Sequence, residues 1–192
     1  MGERAGPAPR TLEELAEIVG HYCWVERRIF ELAGRWSVAT EAPETRVFFS
    51  EVAPRHAAWS AQWSDRLPVR AGIDAAALVV PPPGPADEAL AALDAEPSLT
   101  SRLSGLVTVV LPGLQAGYQA HRAGASPVSE RPVLAVLALI ASVSPGETAS
   151  GVAILQRQLE GSDEANSVPE FTRDFERSFG EGFRVFPAVR PS

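Results

Sequence analysis

TLEELAEIVGHYCWVERRIFELAGRW, residues 11–36, decides the fold. Taken in steps of three and four, Leu12, Leu15, Val19, Tyr22, Glu26, Ile29, Ala33 and Trp36 form one seam of an amphipathic helix. Thr11, with Glu14 three residues on, opens it as a capping box. Glu26 stands where an apolar residue belongs. The next segment, about 44–67, repeats the pattern: Val52, His56, Trp59 and Trp63 make its stripe, and His56 is the odd member. Two facing seams that each carry one intruding polar residue are either a site or a buried pair.

The two intruders fall at one height. The connection at 39–43 centres near Thr40, and Glu26 lies 14 residues before it. On an antiparallel partner helix its neighbour is Pro54, within a turn of His56. Pro54 is expected to kink this second helix.

Beyond it, 68–97 is a crossover stiffened by Pro81-Pro82-Pro83-Gly84-Pro85, with a short helix at about 87–95. A third helix is expected over about 98–123. It carries no acidic residue, and its only charges are Arg102 and Arg122, so it belongs at the centre. A fourth starts near Pro132 and runs to about Val143. Ser144-Pro145-Gly146-Glu147 then reads as a fresh N-terminus whose free backbone N–H groups can receive an anionic group of a substrate, followed by a second piece over 147–160. The domain reading is thus a helical bundle over 11–161 and a C-terminal arm over 162–192. In the arm Phe171, Phe175 and Phe179 recur every fourth residue, followed by Phe183 and Phe186. A short helix cannot hide that stripe alone; it docks on its own bundle, or on a second copy or partner protein.

Composition narrows the classes. A net charge of -7 argues against nucleic acid and against an anionic membrane surface. The one cysteine, Cys23, excludes an intrachain disulfide and a cysteine-based zinc site. All 17 basic residues are arginine, so Schiff-base chemistry, pyridoxal phosphate anchoring and a P-loop lysine are excluded. The arginine-only, GC-rich style fits a bacterial protein of specialised metabolism. The first ten residues are polar, and the longest apolar run, 133–143, is too short to span a bilayer, so the expected location is cytoplasmic.

Two long helices, a long crossover and two more helices resemble the ferritin-like four-helix bundle with one crossover connection, over residues 11–160. In metal-binding members of that superfamily the first helix gives a Glu and the second a Glu-x-x-His; Glu26 and His56 stand in those places. The remaining ligands are missing. Ala53 lies three before His56, the third helix has no carboxylate, and Glu147 and Glu160 are followed by Ser150 and Asp163. The resemblance is therefore to a variant without the di-iron ligand set, and no metal and no cofactor is expected.

A carboxylate on an apolar seam has its charged form disfavoured unless a cation compensates, which makes Glu26 a candidate general acid or base. The leading expectation is a metal-free enzyme. It would perform elimination, intramolecular displacement or ring closure on a small polar metabolite. Glu26 and His56 are its catalytic residues, and Tyr22, Trp59, Gln115 and Arg102 line its substrate pocket. The alternatives are a non-catalytic ferritin-like scaffold or partner-binding subunit, in which Glu26 pairs with His56 or Arg102, and a non-haem metal oxygenase with atypical ligands.

Overall fold

The computed structural model describes residues 10–69, 74–160 and 162–180; Phe183, Phe186 and the rest of the arm past Gly180 lie outside them. The protein is all-α, with no strand among the described residues. Helix α1 spans Leu12–Ala39 and opens on the expected capping box: the Glu14 N–H donates to Thr11 Oγ1 at 3.1 Å, and the Thr11 N–H donates to Glu14 Oε2 at 2.9 Å. Helix α2 spans Pro43–Ser64 and places its proline in the first turn, where the missing N–H costs nothing. It continues through Pro54 as one helix. The short helix α3, Ala86–Ala95, closes the crossover.

The third long helix is one rod in three parts: α4, Leu99–Ser104; a π-helical stretch, Gly105–Val110; and α5, Leu111–Gly124. Pro112 is the cause that sequence offers. It has no N–H for the i−4 carbonyl, and just before it the Leu111 N–H reaches back five residues to Leu106. Helix α6 then runs unbroken from Arg131 to Leu159.

That continuity corrects two expectations. The break at Ser144–Gly146 is absent, so no helix N-terminus faces the core there. The apolar run is not confined to 133–143 either. By length and composition α6 could cross a membrane, and 33% of its most apolar stretch is buried in the fold.

Side-chain pairs fix the helix directions. Glu26 meets Tyr118 and Tyr22 meets His121, so α1 is antiparallel to the rod. Arg55 meets Glu147 and Glu44 meets Arg157, so α2 is antiparallel to α6. Trp36, Trp63, Tyr22, Phe49, Ile29 and Leu32 fill the middle. Burial on this scale dominates the stability of the fold. The crossover lies directly on α1: a Cβ at Gly20 would come within 2.0 Å of the Leu78 carbonyl oxygen, and His21 Nδ1 meets the Val80 carbonyl at 3.0 Å.

Helix α7, Ser167–Phe179, settles where the described part of the phenylalanine stripe goes. Phe175 and Phe179 are buried in the chain's own core, and Phe171 packs against its edge. Gly105 makes room for this: a Cβ there would stand 2.6 Å from Leu93 and 3.3 Å from the Phe175 ring.

Candidate functional site

Glu26 and His56 do meet. The His56 Nδ1–H donates to Glu26 Oε2, and Tyr118 of α5 donates its hydroxyl hydrogen to Glu26 Oε1. Glu26 is 0% and His56 1% exposed. On the far side of the imidazole, Nε2 faces Glu147 Oε2 of α6 at 3.4 Å, an ionic contact without hydrogen-bond geometry. Arg55 closes the array by donating from Nη1 to Glu147 Oε1 at 2.6 Å. One polar string, Arg55–Glu147–His56–Glu26–Tyr118, thus crosses α2, α6, α1 and α5.

The charges balance. Burial by itself would lower the His56 pKa. The carboxylate of Glu26, and after it Glu147, outweigh burial and raise it to about 9. His56 is therefore an imidazolium at neutral pH. Glu147 is pushed below the ordinary carboxylate range: burial opposes this, but His56 and then Arg55 prevail. Tyr118 is held well above the usual phenol range by burial and by the anion beside it, so it stays a donor. Two anions face two cations, and Glu26 accepts on both oxygens.

A second string lies beside the first. The Tyr22 hydroxyl and His121 Nδ1 are 2.8 Å apart, and His121 Nε2 and Glu130 Oε2 are 2.8 Å apart. Arg10 donates to both Glu130 oxygens, at 3.0 and 2.9 Å. The two strings touch through the edge-to-face rings of Tyr22 and Tyr118, with centroids 4.7 Å apart. Burial lowers the His121 pKa, and the Arg10 charge adds to that.

The other expected pocket residues scatter. Tyr22 belongs to the second string. Trp59 packs edge-on against the His56 ring, 4.7 Å between centroids. Gln115 gives its amide to α6, donating to the Ser144 carbonyl at 3.1 Å and to Thr148 Oγ1 at 2.7 Å. Arg102 is no partner of Glu26; it lies over the Trp36 ring at 5.9 Å, about ten residues, or ~15 Å, along α1. Glu147, Tyr118, His121 and Glu130 were missed. Glu147 sits on the buried seam Val136, Ile140, Ser144, Glu147, Gly151, Ile154, as Glu26 does on its own seam. The expected break at 144–146 had split that seam.

Among the described residues, a small cavity and a larger cleft border these helices, and neither of the two is lined by Glu26 or His56. One of about 20 Å³ lies between α5 and α6, where Gln115, Tyr118, Ser144 and Pro145 meet, with room for about one water. The other, about 520 Å³, opens on the outer face of α1 and α2 under the crossover. Phe30, Ala57, Ala61, Leu67, Ala76 and Val79 give it apolar walls, and Cys23, Arg27, Ser60 and Ser64 contribute polar groups. Ser60 Oγ donates to the Cys23 carbonyl at 3.0 Å, and Arg27 Nε pairs with Glu31 at 3.2 Å. Among the described residues no group of three or more His, Cys, Asp or Glu side chains is arranged to hold a metal ion. No protein-family model, no curated protein and no solved structure matches the chain.

Proposed function

We propose that the chain is a non-catalytic binding protein: a four-helix bundle with one long crossover, of ferritin-like layout, that holds a small amphipathic molecule in the cleft under that crossover. The order up, down, down, up for α1, α2, the rod and α6 supports the four-helix reading. One observation carries the functional reading. Void and polar side chains coincide at the 520 Å³ cleft, whereas Glu26 and His56 are sealed and charge-neutralised. A general acid or base has to touch its substrate. A cleft of several hundred cubic ångströms with apolar walls and a few polar groups is the ordinary form of a ligand site. Its chemistry suits an apolar body with a carboxylate directed at Arg27, as in a medium-chain fatty acid. The Glu26–His56–Glu147–Arg55 array then holds four helices in register.

Calorimetric titration with decanoate tests this. Saturable binding is expected, weakened in Arg27→Gln and abolished in Ala57→Phe, which fills the cleft. Glu26→Gln is expected to bind decanoate as the parent does. Absence of saturable binding, or binding that Ala57→Phe leaves unchanged, rejects the proposal.

A further inference from the structure

The cleft under the crossover has two unlike ends. Cys23 meets Ser60, whose Oγ stands 3.0 Å from the Cys23 carbonyl, and Glu26 meets His56 on the core side. These contacts fix the antiparallel register of α1 and α2. Leu67, seven residues past Ser60, is therefore level with Ala16, seven before Cys23. Helix α1 lines the cleft with Cys23, Arg27 and Phe30, which wall one half of it. In the other half Ala75, Ala76 and Val79 of the crossover take the place of α1. Gly20 permits that exchange: a Cβ there would stand 2.0 Å from the Leu78 carbonyl oxygen, which occupies the room of a side chain.

The half walled by α1 is open and charged. Arg27 is exposed, and Phe30 is 40% exposed. Arg27 and Arg28 share the Glu31 carboxylate, at 3.2 and 3.6 Å, so one positive charge is left over at this mouth. The half under the crossover is uncharged. Its small side chains leave the void, and Leu67, 6% exposed, stands at its end. Cys23 and Ser60 direct their polar groups at each other's carbonyls, which leaves Ser64, on the exposed rim, as the polar exception there.

We propose that the cleft holds a straight-chain carboxylate in one direction only, its head at Arg27 and its tail end against Leu67, and that Leu67 sets the chain length. This rests on reading the cleft as a carboxylate site. A guanidinium is the natural partner of the head group. Arg27 and Leu67 differ in level by about eleven residues, or ~16 Å along the helices. An extended hydrocarbon built from bonds of about 1.5 Å advances ~1.3 Å per carbon, so about a dozen carbons span the distance. Dodecanoate meets that length. A shorter acid leaves void at Leu67, and a longer one must carry its carboxylate past Arg27.

Calorimetric titration of the full chain with octanoate, decanoate, dodecanoate and tetradecanoate reads the result. Affinity is expected to rise about fourfold per added methylene as far as dodecanoate and no further. Leu67→Ala opens the end of the cleft and should move the optimum to tetradecanoate. Leu67 also belongs to the core, so a second variant is placed at an exposed position one turn nearer the mouth. Ser64→Leu should lower the ratio of dodecanoate to octanoate affinity at least tenfold. A gain that continues through tetradecanoate in the parent, an optimum that a folded Leu67→Ala leaves in place, or an unchanged ratio in Ser64→Leu overturns the inference and leaves the carboxylate site standing. Absence of binding by all four acids rejects both.

Discussion

The molecule buries two histidine–carboxylate pairs, and they behave oppositely. His56 lies between two carboxylates, Glu26 and Glu147, and its pKa rises to about 9. His121 meets one carboxylate, Glu130, which Arg10 already neutralises, and its pKa falls. Both imidazoles are almost fully buried. Burial favours the neutral form of both: it prevails at His121, and at His56 the two neighbouring carboxylates overturn it. The first pair is an ionic knot through four helices, and the second is a neutral hydrogen-bonded link near one end of the core.

The contrast breaks hardest on removal of the imidazoles. His56→Ala strands two buried carboxylates with only Arg55 at one end, a loss expected at about 3–5 kcal/mol. His121→Ala removes a neutral group and leaves Glu130 on Arg10, so about 1–3 kcal/mol is expected. Urea denaturation of both variants gives the ratio. Equal losses would show that the two knots are the same kind of object.

The phenols sharpen the same point on a smaller scale. Tyr118→Phe takes a charge-assisted bond from Glu26 and should cost about 1.5–3 kcal/mol. Tyr22→Phe takes a bond from a neutral imidazole and should cost about 1 kcal/mol. Chemical denaturation against the parent measures both, and a reversed order would place the anion elsewhere.

The first knot was half legible in the sequence and the second was not. Glu26 and His56 each interrupt a long seam on helices joined by a short turn, so local spacing sets their common height. Tyr118 and Glu147 come from beyond a crossover of some thirty residues, across which no spacing rule carries register. Glu147 was further hidden because Ser144-Pro145-Gly146 imitates a helix start, while in the fold α6 runs through it unbroken. Glu130 lies in the link before α6, where no periodicity marks it. The described phenylalanines of the arm announced a buried face, but a stripe carries no address. The address came from Gly105, which leaves space for Phe175.

The last effect needs no mutation and is small over any one pH unit. The folded His56 pKa, about 9, lies above the ordinary 6.5. The folded state therefore holds that proton more tightly. The associated stability is complete below pH 6.5 and is lost as pH rises through 9, at roughly 1 kcal/mol over the first full pH unit of loss. His121 has the opposite sign. Its folded pKa lies below 6.5, so the unfolded chain binds the proton better and stability falls as pH drops through 6.5. The lowered carboxylates Glu130 and Glu147 add their own losses only further down, as pH falls below their ordinary value of 4.5. Melting temperature against pH should thus peak near 6.5, with an alkaline limb owned by one histidine and an acid limb begun by the other. Tyr118→Phe leaves both imidazoles in place and should keep both limbs. His56→Gln should flatten the alkaline limb alone, and His121→Gln should flatten the first part of the acid limb alone. If one substitution removed both limbs, the two strings would titrate as a single unit across the Tyr22–Tyr118 contact.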